Sequence, residues 1–430
     1  MQTQASYSEF SARIHKSSRT SRQSRFPAEV SIEVTRRCPL ECRHCYNNLP
    51  MDDAGARREE MTLAEHRRLL DELVELGCLW LLYTGGEVFA RPDFLEIYRE
   101  AKSRGFLITL FTNGTLITPR VADVLAEWRP FAVEITLYGA TQQTYEALTQ
   151  IPGSYKRCME GIERLLERKL PLKLKTVPTT VNRHEVYEMK RFAEEELGVE
   201  FKFDPMVNPR IDCSSSPLGV RLSPEEVVAL DFHDAHRERE YRRMAMDDAA
   251  LGKASKKEAG HVYSCGGGVN SFAVDPAGRM SICVLSHRDG YDWRKGSVRD
   301  AWENFFPRVR LKAKTRPTKC DDCRIQSLCG MCPANGELEN GDAEEPVEFL
   351  CQVAHVRAAA LDVPVPAHGD CAFCETGARH AEVAQSAKRI REREINVGEW
   401  VPRPALLPIV GAGASTPACG SHCSACGVHS

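Results

Sequence analysis

Between residues 29 and about 207 the chain alternates two hydrophobic patterns. Short runs that are apolar at every second position, or throughout, predict strands at 29–35, 79–84, 107–112, 132–138, 172–178 and 200–205. Stretches whose apolar residues recur every three to four positions predict helices near 62–76, 93–104, 118–128, 142–169 and 183–197. In the first strand Val30, Ile32 and Val34 alternate with polar neighbours, and Cys78 to Tyr83, the longest apolar run, reads as a buried strand. Thr62 with Glu65, Asn182 with Glu185, and Ser223-Pro224 with Glu226 each place a capping side chain three residues before an acid. Gly77, Gly105 and Gly198 stand where helices should stop. The alternation predicts an α/β fold of six βα units around a parallel sheet, and leaves open both a partial barrel and a doubly wound sheet. In either, ligands sit at the C-terminal ends of the strands.

A charged helix, roughly 224–253, bridges to a second region that begins near His261 and is poor in long helices. That region holds a hairpin from Ser271 to Ser286 turning at Asp275-Pro276-Ala277-Gly278, then an acidic loop from Glu337 to Glu348. Pro364 and Pro366 mark a linker to a tail. The expected organisation is an N-terminal arm (1–27), a barrel domain (28–222), a helical bridge (223–260), a cysteine-rich domain (261–360) and a linker with a cysteine-rich tail (361–430). The arm, rich in Ser and Arg, is expected to be disordered or to touch a partner rather than to be a transit peptide.

Apolar residues make up 42% of the 430, enough for packed cores. A net charge of −3 does not point to nucleic acid as the main partner, and no apolar run reaches membrane-span length. The 18 cysteines cluster at metal-ligand spacings with no secretory signal before them, so a reducing, cytoplasmic location is expected rather than a disulfide framework.

Cys38, Cys42 and Cys45 follow the first strand in Cys-Pro-Leu-Glu-Cys-Arg-His-Cys-Tyr. Three thiolates on one short loop can hold three irons of a 4Fe–4S cube and leave the fourth open, whereas an electron-transfer cluster usually takes four cysteines. A zinc knuckle is the alternative that spacing alone allows. Thr84-Gly85-Gly86-Glu87 ends the second strand, where glycines allow close backbone approach to a ligand and the acid can pair with an ammonium group. Thr112-Asn113-Gly114 ends the third. All three motifs fall at the same end of the strands.

With aromatic Tyr46 following it, the Cys-x3-Cys-x2-Cys loop resembles the signature of the radical S-adenosylmethionine (SAM) enzymes. The resemblance implies a partial (βα)6, TIM-like barrel whose bare iron chelates the methionine moiety of SAM, with reductive cleavage to a 5′-deoxyadenosyl radical. It further implies that Gly85, Gly86 and Glu87 receive the amino group, that Tyr46 flanks the adenine and that Asn113 belongs to the family's Thr-Asn-Gly. Thr136 is placed near the ribose, with Glu134 on the same strand face. Asp204, after the sixth strand, reads either as a substrate or proton-handling group or as a loop cap.

A second array comprises Cys265, Cys283, Cys320, Cys323, Cys329, Cys332 and Cys351, with Gly278 five residues before Cys283. It resembles the seven-cysteine SPASM domain, which carries two auxiliary 4Fe–4S clusters. Position by position, the resemblance implies Cys320, Cys323, Cys329 and Cys351 around one cluster, and Cys265, Cys283 and Cys332 around part of the other. Gly330-Met331 supply two residues before Cys332 where the family usually has three, and Ala259 to Ser264 lack the further cysteine some members carry. The second cluster is therefore expected to have an open iron, or to take Cys213 or a non-cysteine ligand. Zinc remains the alternative for this array too. Cys78 and Cys158 read as buried thiols, and the 13 histidines show no ligand spacing.

The tail carries Cys371 and Cys374, then Cys419, Cys423 and Cys426. Three readings stay open: a fused, self-presented substrate; a zinc or cluster site made by Cys371, Cys374 and two tail cysteines; and a thiol-rich tail delivering sulfur or electrons. The expected function is modification of a peptide or protein side chain to a thioether, a carbon–carbon link or an oxidised residue. The expected partners are a precursor peptide, or the chain's own tail, and a flavodoxin- or ferredoxin-type electron donor. The alternatives are radical chemistry on a small molecule or tetrapyrrole precursor, and a non-catalytic iron–sulfur carrier.

Overall fold

The computed structural model describes residues 25–251, 260–286 and 288–398, the side chains of 247–251 excepted. Cys419, Cys423 and Cys426, and most of the N-terminal arm, lie outside the described residues.

Six parallel strands form where the alternation placed them: β1 (Glu29–Glu33), β2 (Trp80–Thr84), β3 (Leu107–Thr112), β4 (Ala132–Thr136), β5 (Leu172–Thr176) and β6 (Glu200–Phe203). They lie side by side in chain order, β6-β5-β4-β3-β2-β1. A doubly wound sheet reverses direction at a switch point. Here every right-handed crossover steps the same way, which puts the helices on one face and leaves the other as a lumen. The strands carry that division in their residues: on β5 Leu172 and Leu174 are buried, while Lys173 and Lys175 share the opposite face.

The crossovers are α1 (Leu63–Glu75), α2 (Phe94–Ser103), α3 (Pro119–Glu127), α4 (Gln142–Thr149) with α5 (Ser154–Glu167), and α6 (Val186–Arg191). Thr62 and Ser223 form the expected capping boxes. The Asn182–Glu185 pair does not. Asn182 Oδ1 accepts from the Thr179 amide at 2.7 Å, and the Glu185 carboxylate accepts from the Ala140 and Thr141 amides at 2.7 and 3.1 Å, capping α4 from across the fold. The single helix expected over 142–169 is two, because Gln150 and Gly153 take left-handed φ values (61° and 74°) on either side of Ile151-Pro152. The break frees the carbonyls of Leu148 and Thr149 for use below. The helix expected over 224–253 is likewise split, into α7 (Pro224–His233) and α8 (Ala235–Leu251), with extended Asp234 between them capping α8 through the His236 amide at 2.9 Å.

The cysteine-rich region begins by extending the same sheet. Strand β7 (Ser271–Val274) pairs parallel with β1, and β8 (Arg279–Ser281) and β9 (Tyr291–Asp292) follow antiparallel, completing nine strands. The hairpin turns at the expected place: Asp275 accepts from the Ala277 and Arg279 amides, both at 2.9 Å, and Gly278 has φ +79°. After it come α9 (Pro333–Asn340), α10 (Glu348–Ala360) and α11 (His380–Arg391). Helix α10 packs on α7 and α11, and buried Asp231 of α7 ties it down by pairing with Arg357 and Arg237, each at 2.7 Å. No helix among the described residues is long and apolar enough to cross a membrane.

Candidate active site

The loop after β1 is held from several sides. Glu41 and Arg43 amides donate to the Thr149 and Leu148 carbonyls at 3.0 Å each, the acceptors freed where α4 ends. Buried Arg37 forks onto Glu60 at 2.8 and 3.0 Å. Arg210 donates to the Cys45 carbonyl at 3.2 Å and to the Asn48 carbonyl at 2.7 Å. So restrained, Cys38, Cys42 and Cys45 line one cavity of about 330 Å3 at the C-terminal rim of the strands. Asn113 Nδ2 donates to Cys38 Sγ at 3.5 Å, and Tyr138 hydrogen-bonds Cys42. Burial, above all, pushes all three thiols up, and the negative charge of neighbouring thiolates adds to the effect on Cys38 and Cys42. Three thiols, buried or half-buried, converge on one cavity, and that donor set fits an iron–sulfur cluster.

Gly85, Gly86, Tyr46, Asn113 and Thr136 also line this cavity. The two glycines answer first to the chain itself: a Cβ on Gly85 would sit 2.1 Å from the Thr35 carbonyl oxygen, and one on Gly86 2.4 Å from that of Arg36. Their close approach is to the cluster loop, which the Gly86 and Glu87 amides hold through the Thr35 and Arg37 carbonyls at 2.8 and 3.0 Å. Tyr46 donates its hydroxyl to Glu33 at 3.1 Å.

Glu87 departs from its expected role toward a ligand ammonium. It is 1% exposed, and its carboxylate accepts from the Thr112 hydroxyl (2.7 Å), the Asn113 amide (2.7 Å) and the Phe89 amide (3.2 Å). Burial lifts its pKa to about 7. Glu87 therefore clamps the second rim motif to the third. Glu87→Ala leaves three donors without their acceptor and is expected to cost about 2–5 kcal/mol of stability, read by urea unfolding. Asp204 is a loop cap: its carboxylate accepts from the Met206 amide at 3.1 Å, and the residue stands outside the cavity wall.

Several wall residues carried no sequence signal of their own. His44 lies 5.3 Å from the Tyr138 ring, and burial holds its pKa near 4, so it is neutral. Lys175 lies 2.7 Å above the Phe111 ring centroid and 3.3 Å from Glu134. Cross-strand register makes this cluster, since Phe111 stands opposite Glu134 and Lys175 opposite both Thr136 and Lys202. Glu134 is fully buried behind the wall and bound to Lys202 at 2.8 Å. Burial, with the like charge of Lys202, pulls the Lys175 ammonium down to about 7 despite Glu134.

The second cysteine array gathers in two groups. Cys283 lies within electrostatic reach of Cys332 and Cys265. Cys323 and Cys351 each feel Cys320, Cys329 and also Cys371. The Cys213 thiol lies 4.0 Å from the Glu337 carbonyl on α9, the helix that begins just after Cys332. Cys78 and Cys158 are buried thiols as expected. The histidines are not all scattered: His355 and His368 meet Cys371.

A singly wound βα barrel with three thiols and a Gly-Gly rim converging on one cavity defines an enzyme class that works at a cluster-bound cofactor. Residues 32–193 match the family described as the Radical SAM superfamily. The chain carries a radical SAM domain and is a radical SAM enzyme, with a 4Fe–4S cluster and SAM as its cofactors. It is similar to the "AdoMet-dependent heme synthase" of Methanosarcina barkeri, with 26% identity across 74% of this chain and 95% of that one. It is also similar to the "PqqA peptide cyclase" of Bradyrhizobium diazoefficiens, with 29% identity across 74% and 84%. Its fold matches that of Streptococcus suis SuiB bound to precursor peptide SuiA, with a TM-score of 0.57 at 16% identity over 81% of this chain and 83% of that one.

Proposed function

We propose that this enzyme modifies a side chain of a peptide that lies outside the barrel and inserts one residue into it. The carrying observation is that the cavity holding the three thiols opens to solvent at the rim of the barrel. A peptide can lie across that mouth and send one side chain in beside the cofactor. The cluster and SAM, when bound, supply a carbon radical that abstracts hydrogen. The chain's own residues hold and orient. Cys38, Cys42 and Cys45 bind the cluster, the Gly85-Gly86 edge with Asn113 and Thr136 forms the cofactor's bed, and Tyr46 flanks it. Lys175, two strands beyond Asn113, faces the substrate. The relatives divide between a heme synthase and a peptide cyclase, and SuiB binds a precursor peptide over a similar fold.

In the same reading, residues 261–360 form a SPASM domain with one auxiliary cluster on Cys320, Cys323, Cys329 and Cys351 and another on Cys265, Cys283 and Cys332. A flavodoxin- or ferredoxin-type protein supplies the electrons. The test is mass spectrometry after turnover by the reduced holoenzyme with SAM. Its substrates are peptides encoded by short reading frames beside the gene, a synthetic peptide of residues 399–430, and a tetrapyrrole precursor. A peptide lighter by two hydrogens, or otherwise oxidised, is the expected product; turnover of the tetrapyrrole alone overturns the reading.

A further inference from the structure

Outside the barrel, one cluster of side chains is built like a metal site. His355 on α10, and His368 and Cys371 on the loop that follows, bring their donor atoms within 4.8 Å of one another. Cys371 Sγ and His355 Nε2 are 3.4 Å apart. Each imidazole is oriented by its other nitrogen. His355 Nδ1 bonds the Cys351 carbonyl at 2.7 Å, and His368 Nδ1 bonds the Pro366 carbonyl at 2.9 Å. A carbonyl only accepts, so each Nδ1 carries the proton and each Nε2 presents a lone pair inward. That backbone support is the outer shell that metal-bound histidines characteristically have. His355 and Cys371 are 3% and 5% exposed.

We propose that His355, His368 and Cys371 bind a single zinc-class divalent ion, distinct from any iron–sulfur cluster, with a water in the fourth position. Two imidazoles and a thiolate are a donor set that zinc accepts, and tetrahedral bonds of ~2.0–2.3 Å need donors roughly 3.5 Å apart. The Cys371–His355 pair is already at that spacing, and His368, half-exposed on its loop, closes the set by a small shift. In a cube each thiolate binds a different iron, so its protein donors stand farther apart than donors to one ion. A thiol donating to His355 explains the 3.4 Å contact but not a second imidazole with its Nδ1 tied back the same way. The ion staples the loop over residues 366–371 to α10 beside the Cys320–Cys323 segment. His368 also walls a cavity of about 510 Å3 with Asp322 and Arg324, so the fourth position is reachable from solvent.

The test uses anaerobically purified holoenzyme, dialysed against Zn2+ and then against a weak chelator, with zinc and iron measured per chain. Wild type is expected to retain one zinc in addition to its iron. His368→Ala and Cys371→Ser are expected to weaken zinc retention by at least about tenfold, since even outer-shell changes cost 10–100-fold, at unchanged iron content and cluster absorbance. X-ray absorption at the zinc edge should show two nitrogens and one sulfur. The proposal is overturned if wild type retains no zinc, if the variants retain it, or if iron falls with the substitutions, which would give the residues to a cluster. Because His368 is half-exposed, its variant should keep the wild-type circular dichroism.

Discussion

Cys42→Ala is expected to reduce 5′-deoxyadenosine formation to background, with or without substrate, and to remove one cluster's share of iron. The effect is total because all three thiolates line one pocket where, among the described residues, no other side chain offers a soft anionic ligand, and two cysteines leave a second iron without a protein ligand. Burial first, and then neighbouring negative charge, push the free thiols up, so the loop depends on the metal to hold its charge. Alanine at 42 also strands the Tyr138 hydroxyl, at about 1–3 kcal/mol. Circular dichroism separates that cost from unfolding. The informative control is Cys351→Ala, in the distant array, which should lose iron yet retain SAM cleavage. Loss of both functions in both variants would mean that the two regions do not bind metal independently.

The barrel was legible because its strands are short runs, apolar or alternating, separated by segments of helical period, and because strand order follows chain order. The rim motifs were legible as positions and less so as roles. Glu87 reads as a ligand for an ammonium group only while Thr112 and Asn113 are out of view, and they arrive from the next βα unit. The break between α4 and α5 was written in Ile151-Pro152-Gly153, but amphipathic periodicity runs on both sides and masks it. Its use, two carbonyls for the cluster loop, exists only in three dimensions. His355 and His368 have no metal-motif spacing, since the middle of α10 and the loop after it bring them together. The Leu-Lys-Leu-Lys alternation of β5 did announce a polar face. It did not announce that this face is the wall of the cofactor cavity.

That wall supports the second large effect. Lys175→Met is expected to lower kcat/KM for the substrate roughly 10–150-fold, while SAM cleavage in the absence of substrate stays near wild type. A charged hydrogen bond from the ammonium to a substrate carboxylate is worth about 1.5–3 kcal/mol, which gives that range. The residue suits this task. It stands on β5, beyond the strands that carry Asn113 and Thr136, and its neighbour Glu134 keeps Lys202 as a partner when Lys175 is removed. The substitution therefore leaves no buried charge alone. The pH profile supplies the sharper readout. Burial depresses the ammonium from its usual 10.5 to about 7, so the charged form is full below that pH and is lost as pH rises through it. Wild-type kcat/KM, which reports the free enzyme, should fall above pH 7 by up to about tenfold per unit until it levels near the methionine variant's value, and the methionine variant should lack that limb. An unchanged limb in the variant, or an equal loss of substrate-free cleavage, would move Lys175 from the substrate to the cofactor.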